Sequence, residues 1–164
     1  MFSFHDILVA IDFSQTSEDA FAVAAELSRT YHSRVHLLTV VPNVNMPYAV
    51  EAVGVDYFAL QRGMTDAALE QLSDFSARHP IQPGLLINAV AEGPPASEIV
   101  NYAKEHAIDL IVLGAHGHGF VDRLLLGSVA EGVTRHAPCA VLLVPHVARR
   151  LTSFEVQAAA GIGN

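Results

Sequence analysis

Short apolar runs recur along the chain at residues 7–11, 35–41, 85–90, 110–113 and Ala140–Val144, each bounded by turn or capping residues. Most are continuous rather than alternating, which suits strands covered on both faces, as in a parallel sheet. Between them lie stretches with helical periodicity. In the first, Ala20, Val23, Ala24, Leu27 and Tyr31 share one face, and Ser14, Thr16 and Ser17 are candidate N-caps. The second, roughly 56–79, carries Phe58, Leu69, Leu72 and Phe75, with Gly63 as a weak point. The third, about 96–106, presents Ile99, Val100 and Ala103. The fourth starts near Gly127 and shows Val129, Val133 and Ala137 before Pro138 forbids continuation. This alternation predicts a single-domain, doubly wound α/β fold with helices on both faces of the sheet.

A chain of 164 residues can bury one proper core, and 51% hydrophobic against 16% charged residues reads as globular. No apolar run approaches the roughly 18–20 residues needed to span a bilayer, so no membrane insertion is expected. The first residues lack the basic region of a secretory signal, and the lone Cys139 suits a reducing compartment; the expected location is cytoplasmic. The net charge is −8 and Lys104 is the only lysine, so the chain lacks the basic stripe that nucleic acid requires. An acidic protein can still hold a phosphate through backbone N–H groups. Residues 42–55, with Pro47 and Gly54, read as a long loop, and residues beyond Pro145 as an appendage.

In open α/β sheets, ligands sit beyond the carboxyl ends of the strands, where strand order reverses. The fourth run leads directly into Gly114-Ala115-His116-Gly117-His118-Gly119, and the fourth helix opens at Gly127-Ser128. Glycines let backbone approach a ligand, and amides at a helix N-terminus attract anions. Ser128 adds a hydroxyl within reach of a phosphate or of a metal on it. A Walker A loop is excluded, because no lysine is present. A dinucleotide fingerprint would need glycine where Asp122 stands. Glycine content alone reads equally as a phosphate cradle or a tight turn.

The spacing is more specific. Gly114-Ala115-His116-Gly117, followed by Leu124-Leu125-Leu126-Gly127-Ser128-Val129-Ala130-Glu131, closely resembles the ATP-binding signature of universal stress proteins. The opening Ile7-Leu8-Val9-Ala10-Ile11-Asp12-Phe13-Ser14, the Glu92-Gly93-Pro94 turn and the closing Pro138-Cys139-Ala140-Val141-Leu142-Leu143-Val144-Pro145 are similar to the same family. The resemblance implies a universal stress protein domain over 1–146, with 147–164 as a partly flexible C-terminal extension. It also implies a five-stranded parallel sheet in the order 3-2-1-4-5, of the Rossmann-like, adenine-nucleotide α-hydrolase-like type. Asp12 and the glycine loop would then face one crevice. Ala10, Asp12 and the backbone of Val40 or Val41 would border the adenosine, and Gly114 the ribose. His116, Gly117, His118, Gly127, Ser128 and Val129 would surround the phosphates. The implied ligand is ATP or another adenine nucleotide, with Mg2+ held mainly by phosphates and water and Ser128 as a further candidate. His118 stands where Arg or Lys is frequent in the family, and Ala140 replaces a common proline.

Other residues have plainer readings. His116 and His118, with His136 and His146, are a weak zinc set and read as solvated or phosphate-adjacent. Cys139 reads as a structural thiol. Arg123 could pair with Asp122, Glu131, a partner chain or a γ-phosphate. An exposed edge at Ala140–Val144 would need covering, and the resemblance implies a homodimer through this strand. Three functions remain open: a nucleotide-dependent regulator acting on an unknown protein partner in a stress response, a slow ATPase, and an interaction module working without nucleotide. No assigned base, loop lysine or arginine finger supports hydrolysis, so little or none is expected.

Overall fold

The computed structural model describes residues 3–43, 56–82, 84–115 and 126–145. Strands β1 (Asp6–Ala10), β2 (Arg34–Val41), β3 (Leu86–Glu92), β4 (Leu110–Gly114) and β5 (Ala140–Val144) alternate with helices α1 (Gln15–Tyr31), α2 (Tyr57–Arg78), α3 (Pro95–Glu105) and α4 (Ser128–His136). The sheet is parallel throughout and ordered β3-β2-β1-β4-β5, as the resemblance implies.

Burial explains why the apolar runs are continuous. In β1, Ile7 and Val9 face a core completed by Ala20, Phe21, Leu72 and Phe75 of α1 and α2. Leu8, between them, faces a second core with Ile99 and Ala103 of α3 and Val133 of α4. Alternate side chains thus enter opposite cores, so no position of a central strand can be polar without a partner.

The helix limits follow local chemistry. The Ser14 side chain accepts the Ser17 N–H and starts α1; His32, with φ 57, ends it in the left-handed conformation. Of the three candidate caps, Ser14 is the one used. Tyr31 lies 40% exposed at the edge of the expected apolar face, with its ring edge against Phe4. Asp56 caps α2, which runs unbroken through Gly63. β3 begins one residue later and ends two residues later than its apolar run, because Val40 and Val41 pair with Ala91 and Glu92. Among the described residues, no helix is long and apolar enough to cross a membrane.

Candidate functional site at the carboxyl end of the sheet

β1 is flanked by β2 and β4, and the chain leaves these neighbours toward opposite faces of the sheet. A cavity of about 550 Å³ opens beyond their carboxyl ends, within the range usual for small-molecule sites. Leu38, Ile99, Leu113 and Val129 give it an apolar side, while Asp12 and Ser128 supply polar groups.

The β1–α1 turn positions Asp12. Its Oδ1 accepts the Ser14 N–H at 3.0 Å and the Ser14 hydroxyl at 2.5 Å. The Ser14 Oγ also lies 3.0 Å from the Thr16 Oγ1. Phe13, between them, has φ +61, a conformation that costs a non-glycine residue about 1 kcal/mol or more. Its ring packs edge-on to Phe75 with centroids 6.3 Å apart, which helps hold the turn in place. Thr39 on β2 donates its hydroxyl to the Ile11 carbonyl at 3.0 Å and ties this turn to the next strand.

The opposite wall is the start of α4. Ala115 donates its N–H to the Val144 carbonyl at 2.9 Å, and Gly127 donates to the Ala115 carbonyl at 3.0 Å. The helix therefore begins beside the end of β4. Gly127 is its N-cap and offers no side-chain hydrogen bond to the first turn. The first helical bond is Glu131 N–H to Gly127 C=O at 2.9 Å. The amides of Ser128, Val129 and Ala130 precede that bond and so have no acceptor within the helix. All three residues line the cavity. The geometry can receive an anion at one end and a flat apolar group at the other.

Of the residues that the sequence singled out, Ala10, Asp12, Val40, Gly114, Gly127, Ser128 and Val129 come together here. Val41 is not part of the wall; its side chain is buried and its carbonyl accepts the Gly93 N–H at 3.0 Å. His116, Gly117 and His118, together with Asp122 and Arg123, lie outside the described residues. Among the wall residues that sequence reasoning missed are Ser17, Thr39, Pro42, Pro95 and Ile99. Thr39 is a hydroxyl within an apolar run, a signal that was available; the others needed the fold. Among the described residues no group of three or more His, Cys, Asp or Glu could hold a metal. Cys139 is part-buried, and burial, reinforced by Asp109, raises its thiol pKa, consistent with an unreactive structural role.

The universal stress protein family model matches residues 3–145. The chain belongs to that family. A universal stress protein of Methanocaldococcus jannaschii is 30% identical over 141 residues, which cover 84% of this chain and 80% of that protein. Universal stress protein YxiE of Bacillus subtilis is 31% identical over 86% of this chain and 99% of its own length. Among solved structures, the universal stress protein UspA from Lactobacillus plantarum superposes with TM-score 0.71 at 30% identity, covering 88% of this chain and 99% of its own. A universal stress protein solved in complex with cAMP, 21% identical with TM-score 0.59 and covering 88% and 99%, shares the fold. The switch-point cavity thus lies within the residues that the family model matches, which include all the described ones.

Proposed function

We propose that this universal stress protein binds an adenine nucleotide in the switch-point cavity and acts as a nucleotide-dependent regulator with little or no hydrolysis. The observation that carries the reading is the uncapped first turn of α4 facing Asp12 across an apolar-walled cavity. The base would lie along Val40 and Leu38, and Asp12 would accept hydrogen bonds from the adenosine. Gly114 would lie beside the ribose. The amides of Ser128 and Val129 and the Ser128 hydroxyl would hold phosphate oxygens. His116, Gly117 and His118 would complete that end. The donor set fits an anion; it does not fit a protein-held cation, because Asp12 is the only carboxylate in the described wall. A magnesium ion would therefore be carried by the phosphates and water.

Two copies would pair along β5, the last strand in the sheet order, where Ala140 and Leu142 are exposed. Nucleotide bound to the folded state alone stabilises it by about 2.7 kcal/mol at a hundredfold excess over the dissociation constant, which gives a route from occupancy to partner contact.

The test is to purify the protein without added nucleotide, denature it, and identify released small molecules by chromatography and mass. Near-stoichiometric ATP supports the reading, and ADP or AMP points to turnover or another preference. No release, together with no thermal shift on adding magnesium-ATP, overturns it.

A further inference from the structure

At the amino end of the sheet, away from the cavity, a polar cluster lies inside the second core. His36 of β2 is only 4% exposed. Its Nε2 is 3.0 Å from Asp6 Oδ1 of β1, and its Nδ1 is 2.9 Å from the Tyr102 hydroxyl of α3. Arg34 grips the same carboxylate in two-pronged fashion, Nε to Oδ1 at 2.7 Å and Nη2 to Oδ2 at 2.8 Å. His106 stacks on the Tyr102 ring at 3.9 Å and 12°, and meets the His36 ring edge-on at 5.7 Å. The strand neighbours of His36 in register are Leu8 and Ile87, both apolar. The titratable or charged groups facing the imidazole are therefore Asp6, with Arg34 behind it, and Tyr102 and His106 of α3.

The donor and acceptor arithmetic leaves one variable. An ionised carboxylate only accepts, so Nε2 carries a hydrogen whether the ring is neutral or charged. In the neutral ring, Nδ1 accepts the Tyr102 O–H. In the imidazolium, Nδ1–H donates to the Tyr102 oxygen, whose own hydrogen turns elsewhere. Burial, with a contribution from Asp6, raises the Tyr102 pKa and keeps its hydroxyl protonated. The same heavy-atom positions thus serve both states, and histidine is the side chain whose ordinary titration falls near neutral pH. What changes is the strength of the one bond joining α3 to this buried ring, from neutral to charge-assisted.

We propose that His36 is a proton-uptake site whose protonation tightens the hold of α3 on the sheet. The same helix supplies Pro95 and Ile99 to the cavity wall at its other end, so the proton acts on an element that borders the site. The proposal does not rest on nucleotide binding, and its test is ligand-free.

The experiment records imidazole nitrogen NMR shifts of His36 and amide exchange of Ile99, Val100 and Ala103 between pH 5.5 and 8, corrected for intrinsic exchange rates. The expected result is a titrating Nδ1 beside an always-protonated Nε2. Protection of the α3 amides should rise about threefold or more at the acid end. Tyr102→Phe should keep the titration and lose the α3 response, and His36→Gln should lose the response while retaining hydrogen-bonding capacity toward Asp6 and Tyr102. A His36 ring that stays in one protonation state across this range overturns the proposal. So does an α3 response of equal size in His36→Gln or Tyr102→Phe.

Discussion

A Cβ atom built on Gly114 would lie 2.9 Å from both the carbonyl carbon and oxygen of Thr16. The end of β4 thus abuts the first turn of α1, which keeps the Asp12 side of the cavity beside the strand that leads into the glycine loop. The glycine that the family resemblance assigns to the ribose has a second reason to be there: the backbone of α1 leaves no room for any side chain.

Gly114→Ala is therefore expected to push the first turn of α1 outward, at a cost of about 1–3 kcal/mol, the usual penalty for overpacking. Chemical denaturation should show the lower midpoint, and nucleotide affinity should fall with it as the Asp12 turn moves. A variant with wild-type stability would mean that this contact relaxes freely.

Gly63 offers the opposite case. It lies within α2, and a Cβ there would meet nothing within 4 Å. Gly63→Ala should stabilise the protein by about 0.5–1 kcal/mol through helix propensity and a less flexible unfolded chain. Thermal denaturation checks the sign.

Asp6 sets part of the acid limit. Burial raises its pKa, but hydrogen bonds from Arg34 and His36 and their charges outweigh it and hold the value below the ordinary carboxyl range. A carboxylate with a lowered folded-state pKa contributes stability that is present above the unfolded value. That contribution is lost as the pH falls through the folded one. Arg34→Met removes the principal donor pair, so acid unfolding followed by circular dichroism should begin at a higher pH. An unchanged acid midpoint would show that the pair adds nothing at low pH.

Asp12→Asn separates charge from shape at the cavity. The amide oxygen can still accept the Ser14 N–H that now bonds Oδ1 at 3.0 Å, so the turn should persist. Adenine-nucleotide affinity should fall roughly tenfold or more if the carboxylate accepts from the adenosine, as loss of a hydrogen bond to a charged group costs about 1.5–3 kcal/mol. Calorimetric titration measures this, and equal affinity would remove Asp12 from the ligand.

Much of this protein was already legible in the chain. Unbroken apolar runs, as at Ile7-Leu8-Val9, require two cores, so helices had to cover both faces. Ser14, Thr16 and Ser17 offered caps for the first helix, and Pro138 closed the last. The spacing from Gly114 to Gly127-Ser128 carried the family and, through it, the strand order. Those signals are local: they depend on periodicity, caps and backbone freedom, which a residue shows to its immediate neighbours.

Contacts between distant segments were decided only by the tertiary structure. Nothing local distinguishes Val40 from Val41, yet the pleat sends Val40 to the cavity wall while the Val41 side chain is buried and its carbonyl meets Gly93. Thr39, Pro95 and Ile99 reach the site because β2 ends and α3 begins beside the carboxyl end of β1. The Asp6–His36–Tyr102 cluster joins residues 30 and 66 positions apart. Its members each look unremarkable in the chain, because a hydrogen-bond partner is chosen by distance in space, and parallel pairing with a helical crossover sets that distance.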